Sequence, residues 1–484
     1  MERLKTGIRG LDQVLQGGIP RYSTILIAGS PGSGKTILCQ NIIFNYNRAS
    51  GLNVLYLSTI SEPQFKVIRF QQEFSFFNSE AFMDTVIYQD IGSIIRTKGI
   101  RQTLEIVDEL VQQLQPALIA IDSIKAIADM LPSALAFREF ISDLNIKLSL
   151  WECTVLLVGE YNEEEISRRP ESAVVDGIIY LYGAEEKKFQ RRYLRILKMR
   201  GTSYEAGEHL LKISQEGVNI FPRLNPLFSG SGQTYSHDFQ RQSTGVPGLD
   251  QMLGGGIPAG TTTLISGETG TGKTLLALSW IVQGARENEP GLFVTYDENP
   301  LQLKRNASSF GWRADNFLKR NLLDFFYVSP IELEVDQHIH EIQQKALEMQ
   351  VGRIVIDSIS SFEIGMSDKN KYTDYLWGLT SFFKMQGISL IIITENLYSQ
   401  GSLKLTKYGT SYLADNIIIL SYLRDGFETR RLLEVRKMRG SRHLATAREY
   451  MISSRGPVVL DRPVVLKGYR AAKSGKAVLQ RKGD

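Results

Sequence analysis

The chain of 484 residues contains one long pattern twice, and this internal repeat decides its architecture. The string TGIRGLDQVLQGGIP at 6–20 returns as TGVPGLDQMLGGGIP at 244–258. Further pairs follow in the same order: GSPGSGKT and GETGTGKT, LIAIDS and RIVIDS, and KMRGTS and KMRGSR. Because these signatures recur at nearly constant spacing, each copy is a whole domain rather than a short supersecondary repeat.

Each copy alternates short apolar runs, such as TILIAG and NVLYLS, with longer amphipathic stretches. This alternation predicts an α/β fold in which a mostly parallel sheet is covered by helices on both faces. Later in each copy, two strand-like runs joined by a polar turn predict an appended antiparallel hairpin. The predicted boundaries are a first domain at 1–223, a linker at 224–241, a second domain at 242–460 and a basic flexible tail at 461–484.

Composition narrows the classes of function. Hydrophobic residues make up 43% of the chain and charged residues 22%, which is enough apolar material for two buried cores. The formal net charge is +4, and the tail, with seven Lys or Arg and two Asp, accounts for it. The body is nearly neutral, so nucleic acid is an unlikely partner. The chain has only two cysteines, which favours a cytoplasmic protein. It has no apolar stretch of about 18 residues, so no membrane span is expected.

Both copies contain a G-x-x-x-x-G-K-T motif between a strand-like and a helix-like run. Backbone N–H groups of such a loop surround phosphates at a helix N-terminus, and its lysine neutralises the β- and γ-phosphate oxygens. The motif predicts ATP and Mg²⁺ as ligands; the alternative is a glycine-rich turn without a ligand. The predicted nucleotide-binding residues are Gly29, Ser30, Pro31, Gly32, Ser33, Gly34, Lys35 and Thr36, and Gly267, Glu268, Thr269, Gly270, Thr271, Gly272, Lys273 and Thr274.

The predicted magnesium ligands are Thr36 and Asp122 in the first copy and Thr274 and Asp357 in the second. The threonine hydroxyl follows the P-loop lysine, and each aspartate ends an apolar strand, where it holds Mg²⁺ through water. Each aspartate is alternatively the N-cap of the following helix.

Hydrolysis needs a further group that orients or deprotonates the attacking water. The strand after the P-loop helix ends in YDENP in the second copy, which offers Asp297 and Glu298 as catalytic residues. The aligned positions of the first copy are Ile60 and Ser61, and Glu62 lies one residue further on. Hydrolysis is therefore expected in the second copy, with Glu62 as the alternative that would restore it in the first.

The repeated K-M-R-G places Lys198 and Arg200, and Lys437 and Arg439, at the end of an apolar strand. Alternate residues share one strand face, so each pair points the same way. Such cations have either a local acidic partner or a triphosphate held by a neighbouring subunit, as an arginine finger does. We expect Lys198 and Arg200 to bind nucleotide and Lys437 and Arg439 to be catalytic; the alternative is a solvated, charged hairpin tip.

Together these strings resemble the KaiC family, the double-domain branch of the RecA-like ATPases, from residue 6 to about residue 457. The resemblance implies two tandem RecA-like P-loop domains and a two-tiered homohexamer with ATP between neighbouring subunits. It further implies slow ATP hydrolysis in the first ring, and serine/threonine autokinase and autophosphatase activity in the second.

Carried over position by position, the family's paired catalytic glutamates fall on Ile60 and Ser61 and on Asp297 and Glu298. Its phosphoacceptor pair falls on Ser411 and Tyr412, with Thr410 as a neighbouring candidate. Its trans-acting residues match at Lys198, Arg200, Lys437, Arg439 and His443, whereas Tyr204 replaces the first-domain histidine. The tail has the location of the family's regulatory peptide, so an unknown regulatory protein is expected there.

The leading hypothesis is a hexameric regulatory ATPase whose first domain binds ATP to hold the ring and whose second domain turns ATP over. A nucleic-acid motor or recombinase on the same fold is the first alternative. An ATP-gated scaffold without turnover is the second.

Overall fold

Each copy of the repeat folds around its own sheet, in a computed structural model that describes residues 2–59, 64–82, 84–186, 189–223, 240–329, 334–360, 369–395, 397–399, 402–404, 410–425 and 428–463. The chain divides into the units Met1–Arg223 and Leu224–Asp484. The predicted linker lies almost entirely outside the described residues. So does the basic tail, except for its first three residues.

The strands of the first unit are β1 (Arg3–Leu4), β2 (Ile19–Pro20), β3 (Thr24–Gly29), β4 (Val54–Ser58), β5 (Val86–Asp90), β6 (Leu118–Asp122), β7 (Thr154–Glu160), β8 (Gly177–Glu186), β9 (Phe189–Met199), β10 (His209–Ser214) and β11 (Gly217–Phe221). Its helices are α1 (Leu11–Val14), α2 (Lys35–Ser50), α3 (Gln64–Gln71), α4 (Gly92–Lys98), α5 (Ile100–Leu114), α6 (Ile124–Met130), α7 (Ala134–Leu150), α8 (Glu163–Ile166) and α9 (Pro170–Val174).

The strands of the second unit are β12 (Arg241–Gln242), β13 (Ile257–Pro258), β14 (Thr262–Gly267), β15 (Gly291–Thr295), β16 (Leu323–Tyr327), β17 (Arg353–Asp357), β18 (Ser389–Glu395), β19 (Leu397–Ser399), β20 (Ser402–Lys404), β21 (Asn416–Asp425), β22 (Glu428–Met438), β23 (Arg448–Ser453) and β24 (Gly456–Pro463). Its helices are α10 (Leu249–Met252), α11 (Lys273–Arg286), α12 (Pro300–Ser309), α13 (Ala314–Lys319), α14 (Val335–Glu348) and α15 (Lys369–Met385), and a 3₁₀ helix spans Thr410–Leu413.

The main sheets of the two units have the same topology. Among its described residues, the first unit has a nine-stranded sheet in the order β11-β10-β9-β8-β3-β7-β6-β4-β5. The described part of the second unit has the equivalent order β16-β15-β17-β18-β14-β21-β22-β23-β24. The central strands pair in parallel, and the strands from β8 to β11 and from β21 to β24 pair antiparallel. The predicted α/β fold with tandem P-loop domains is confirmed.

The central strands are buried on both faces, which explains why their sequences are apolar without alternation. In β3, Ile25 and Ile27 pack into one cluster together with Leu38 of α2. The intervening Leu26 packs into a second cluster with residues of α5, α6 and α7, such as Val107. Helices therefore cover both faces of the sheet.

The antiparallel part of each sheet is larger than the single hairpin that the sequence predicts. A second hairpin follows the first in each unit, formed by β10 with β11 and by β23 with β24. Gly217 and Gly456 begin the return strands with positive φ angles of 107° and 117°. A Cβ atom on Gly217 would lie 2.4 Å from Asn41 Oδ1, so this turn packs tightly against α2. The prediction missed these strands because their apolar runs are short.

The repeated T-G-x-x-G-L-D string forms a local turn that docks on the P-loop helix. The backbone N–H and the hydroxyl of Thr6 both donate to Asp12 Oδ1 at 2.8 Å. Thr244 donates to Asp250 Oδ1 in the same way. The strings recur because they build this turn, and their described contacts are structural.

A buried arginine distinguishes the second unit from the first. Arg353 at the start of β17 is 1% exposed and forms ion pairs with Glu287 at 2.8 Å and Glu289 at 2.6 Å. It also donates to the carbonyl oxygens of Trp280 and Ser243. The arginine thereby joins the end of α11 to the segment that precedes the T-G turn. In the first unit the register places Leu118 at this position.

We expect Arg353→Met to lower the free energy of unfolding of the second unit by about 2–4 kcal/mol, because it removes one partner from a buried charge network. Hydrogen exchange followed by mass spectrometry resolves the two units and is the suitable measurement. The matched control is Leu118→Met, a volume-conserving change that is expected to cost less than about 1.5 kcal/mol. Equal loss of protection in both variants would contradict a stabilising role for the ion pairs.

Within the described residues, no helix has the length and apolar character needed to cross a membrane.

Candidate functional site

The P-loop of each unit connects the end of a central strand to a long helix. Lys35 is the first residue of α2, and its Nζ donates to the carbonyl oxygen of Ser30 at 2.8 Å. Lys273 begins α11, and its Nζ donates to the carbonyl oxygens of Gly267 and Glu268, both at 3.0 Å. Each lysine thus lies over its own loop, where it would meet the β- and γ-phosphates of a bound nucleotide.

Positive φ angles shape both loops. Gly34 and Gly272 precede the helices with φ angles of 99° and 98°, and Gly32 and Gly270 have φ angles of 70° and 80°. No side-chain hydrogen bond caps either helix N-terminus. The N–H groups of the first turn are therefore available to an anion, which the helix dipole also favours.

Each predicted magnesium-binding pair is brought together. Thr36 Oγ1 donates to Asp122 Oδ2 at 2.8 Å, and Thr274 Oγ1 donates to Asp357 Oδ2 at 2.6 Å. Each aspartate ends a strand that is separated from the P-loop strand by one other strand of the sheet, and each is at least nine-tenths buried. In the first unit the N-cap alternative for the aspartate is wrong, because Ser123 rather than Asp122 caps α6.

A tyrosine makes the two aspartates unequal. Tyr56 OH in β4 donates to Asp122 Oδ2 at 2.8 Å, whereas the equivalent position in β15 is Phe293, which has no hydroxyl. Burial raises the pKa of the Asp122 carboxyl, and the hydrogen bonds from Tyr56 and Thr36 oppose that rise. The tyrosine therefore fixes the orientation of this carboxylate in the first unit. The sequence analysis did not single it out, because its role depends on pairing between strands.

The second unit gathers carboxylates beside its P-loop. Burial raises the pKa of Asp297, and the charge of Glu395 raises it further. Burial also raises the pKa of Glu298, with Asp297 adding to the effect. Burial raises the pKa of Asp357 to about 6; the hydrogen bond from Thr274 opposes this rise, and Asp297 and Glu298 add to it. A divalent cation at this point would favour the ionised carboxylates.

The loop that contains these carboxylates is anchored on both sides. Asn306 Nδ2 of α12 donates to Glu298 Oε2 at 3.1 Å, and Thr295 Oγ1 donates to the carbonyl oxygen of Glu298 at 2.8 Å. The preceding Tyr296 hydroxyl lies 2.9 Å from Nε2 of buried His338. Burial lowers the pKa of His338. These contacts orient Glu298 before any ligand is bound.

The corresponding positions of the first unit, Ile60 and Ser61, lie outside the described residues, as does Glu62. One further carboxylate occurs in both units and was missed by the sequence analysis. Glu160 ends β7 opposite Gly29, and Glu395 ends β18 opposite Gly267. The charge of Glu160 acts on Lys35, while Thr269 Oγ1 donates to Glu395 at 2.9 Å. The signal was present in the sequence, because one glutamate follows an apolar strand at the same place in each copy.

The K-M-R-G cations of the first unit make local contacts. Lys198 Nζ donates to the carbonyl oxygens of Val175 at 2.6 Å and Ser172 at 3.2 Å. Arg200 lies 3.6 Å from Asp176 Oδ1. Strand β9 ends at Met199, so Arg200 lies in the turn and not on the strand as predicted. Both cations still face the segment that precedes β8.

The second unit repeats this arrangement. Lys437 Nζ donates to the carbonyl oxygen of Ala414 at 2.6 Å, and Arg439 lies 3.4 Å from Asp415 Oδ1. A local acidic partner, one of the two alternatives for these cations, is therefore present for each arginine. In both units the arginine is still more than half exposed.

These cations lie at the opposite end of the sheet from the P-loop of their own unit. Asp176 accepts a hydrogen bond from the backbone N–H of Thr24, where β3 begins, and Asp415 does the same for Thr262 of β14. The P-loops follow the other ends of β3 and β14. A nucleotide bound by one unit is thus out of reach of that unit's own K-M-R-G cations.

The predicted phosphoacceptors lie near the same end. Thr410, Ser411 and Tyr412 belong to the 3₁₀ helix that precedes β21, only a few residues before Asp415. The side chain of Ser411 lies outside the described part of the structure. Tyr204 and His443 lie in the loops after β9 and β22.

The residues fit a magnesium-bound nucleoside triphosphate. Among the described residues there is no group of three or more His, Cys, Asp or Glu side chains that could hold a metal ion. Mg²⁺ with a nucleotide does not require one, because phosphates and water supply most of its ligands. A threonine hydroxyl, a buried aspartate, an uncapped helix N-terminus and a lysine are the donor set that such a ligand uses.

Comparison with known proteins identifies the family. The sequence model of the KaiC family of ATPases matches residues 4–225 and again residues 242–464. Circadian clock oscillator protein KaiC 1 of Synechocystis sp. is 29% identical over 471 residues, which cover 95% of this chain and 89% of that protein. Circadian clock oscillator protein KaiC of Parathermosynechococcus lividus is 29% identical over 488 residues, covering 97% and 87%. The Synechococcus elongatus protein of the same name is 28% identical over 472 residues, covering 95% and 89%. With both halves matched by one family model, the chain belongs to the KaiC family and is a KaiC-like, ATP-binding protein of the ATPase type.

Proposed function

We propose that the chain is an oligomeric ATPase in which the second domain hydrolyses ATP and the first domain mainly retains it. One observation carries this assignment. The second P-loop has Asp297 and Glu298 beside the Thr274–Asp357 pair, and the first copy has Ile60 and Ser61 at the matching sequence positions. Binding is supported in both domains, whereas the groups needed to activate water are supported in one.

Hydrolysis in the second domain assigns a separate task to each residue. Lys273 and the first-turn N–H groups hold the phosphates, and Thr274 and Asp357 hold Mg²⁺, which stabilises the charge that develops on the phosphate oxygens. Glu298 takes a proton from the water that attacks the γ-phosphorus, and ADP leaves. Its raised pKa moves its basicity toward neutral pH, and Asn306 holds it in place.

We propose a homohexamer as the active assembly, with ATP between neighbouring subunits. The positions of Lys198, Arg200, Lys437 and Arg439 support this arrangement. Because these cations lie at the far end of the sheet from their own P-loop, a triphosphate that they meet would belong to a different P-loop. In the proposed hexamer this is the P-loop of the same domain in a neighbouring subunit. In that setting an arginine would stabilise transition-state charge in trans.

The same placement makes Ser411 a candidate phosphoacceptor rather than an established one. It belongs to the 3₁₀ helix that leads to Asp415 and Asn416, at the end of the sheet where Lys437 and Arg439 lie. A hydroxyl presented there to a neighbour's ATP would compete with water for the γ-phosphoryl group. Autokinase activity therefore depends on the same assembly as the proposed arginine role.

Incubation of the purified chain with ATP and Mg²⁺, followed by ADP determination and intact mass spectrometry, tests the proposal. We expect ADP release, a hexamer in native mode and, if Ser411 is an acceptor, a mass increase of one phosphate. Tight ATP binding without ADP formation would instead support an ATP-gated scaffold. Failure to bind adenine nucleotide would overturn the proposal altogether.

A further inference from the structure

The nucleotide site of the first unit contains a second lysine next to the P-loop. Lys125 lies in the first turn of α6, directly after the strand that ends in Asp122. Its Nζ lies 5.7 Å from the ring centroid of Tyr161. The backbone N–H of Tyr161 donates to the carbonyl oxygen of Gly29, the first P-loop residue, at 3.2 Å. The Lys125 ammonium therefore lies over the ring of a residue that is hydrogen-bonded to the P-loop.

The positive charge of Lys125 acts on the P-loop lysine in addition to the larger effects of Glu160 and Asp122. Burial lowers the pKa of Lys35, and the positive charge of Lys125 lowers it further, while Glu160 and Asp122 oppose the shift. Asp122 is already engaged by the hydroxyls of Thr36 and Tyr56. Two like charges in one half-buried site repel each other, so an anion placed between them would be bound favourably.

The second unit has no such lysine. Matching strand registers place Ser360 at the position of Lys125. Lys273 has the equivalent carboxylates Glu395 and Asp357, and a third, Glu268, acts on it where Lys125 acts on Lys35. At the aligned positions the first site therefore has one more ammonium group than the second and three fewer carboxylates, because Ser30, Ile60 and Ser61 stand in place of Glu268, Asp297 and Glu298. This difference favours retention of a highly charged anion in the first site and activation of water in the second.

We propose that Lys125 binds the terminal phosphate of ATP in the first domain and makes that site selective for the triphosphate over the diphosphate. The proposal rests on the assignment of the first domain as an ATP-retaining site and names the residue responsible. An ammonium group that donates to a γ-phosphate oxygen forms a charge-assisted hydrogen bond that ADP cannot form. The cation–π contact with the Tyr161 ring positions the Lys125 ammonium on the side of the residue that follows β7.

The test compares the affinities of the full-length chain for fluorescent derivatives of ATP and ADP with Mg²⁺. Lys273→Ala is included in every sample so that the first site is observed alone. We expect Lys125→Met to weaken ATP binding by about 10- to 100-fold, with little change for ADP. The methionine keeps the length and packing of the side chain and so protects the fold. Lys125→Arg is expected to restore most of the preference for ATP.

Lys98→Met is the matched control, because it removes an exposed lysine of the same unit from the end of α4. It is expected to leave both affinities unchanged. Equal weakening of ATP and ADP, or no change in either, in the Lys125→Met chain would overturn the proposal and leave the ATPase assignment intact. Loss of all nucleotide binding in the chain that carries Lys273→Ala alone would instead remove the first domain from the proposed function.

Discussion

A chain carrying Glu298→Gln is expected to hydrolyse ATP about 10²- to 10⁴-fold more slowly than the unchanged chain, because it lacks the group that takes the proton from water. Glutamine has nearly the same shape and keeps the contact with Asn306, so the loop is retained. Binding of ATP to both domains is therefore expected to remain. Steady-state ADP release and equilibrium nucleotide binding, measured on the same preparation, separate the two effects.

The control for this variant is Glu348→Gln, which makes the same chemical change at an exposed position near the end of α14. It is expected to have unchanged turnover. Undiminished hydrolysis in the Glu298→Gln chain would falsify the assignment of Glu298 as the base. Asp297→Asn would then be the next variant to measure, since Asp297 lies beside Asp357 in the same cluster.

The two P-loop lysines form a matched pair with different expected consequences. Lys273→Ala is expected to abolish turnover and leave the oligomer intact, because the proposed function assigns the chemistry to the second domain. Lys35→Ala is expected to weaken ATP binding at the first site by about 10- to 100-fold or more. Because assembly is linked to occupancy by mass action, we expect the hexamer to dissociate when the first site is empty.

Native mass spectrometry at a fixed concentration of ATP and Mg²⁺ reports both subunit number and bound nucleotide in this pair. ADP release from the same samples gives the turnover per subunit. A stable hexamer of the Lys35→Ala chain would contradict a structural role for the first site. If only the Lys35→Ala chain lost turnover and the Lys273→Ala chain stayed active, ATP hydrolysis would be assigned to the first domain instead of the second.

Short sequence motifs were sufficient to predict the architecture of this protein. The repeat, the tandem α/β fold and the family follow from contiguous residues whose chemistry needs no knowledge of distant partners. The threonine of each P-loop and the aspartate that ends β6 or β17 could also be paired in advance, since parallel strands bring their carboxyl ends to one edge of a sheet.

Contacts between strands that are distant in sequence could not be predicted from such motifs. The hydrogen bond from Tyr56 to Asp122 depends on the register of β4 against β6. A tyrosine in an apolar strand is more often a hydrophobic core residue without a functional contact. Arg353 is similar, because an arginine at the start of a strand gives no sign that it will be buried. The K-M-R-G cations were found from the repeat, but their position far from their own P-loop emerged only from the fold.

The separation of Arg439 from Lys273 by the length of β14 has a consequence for the behaviour of this protein in solution. If catalysis needs Lys273 of one subunit and Arg439 of its neighbour at the same phosphate, a single chain by itself contains no complete catalytic site. The rate of ATP hydrolysis per mole of chain would then fall on dilution, although every chain stayed folded. The concentration of the protein in the cell would set this rate.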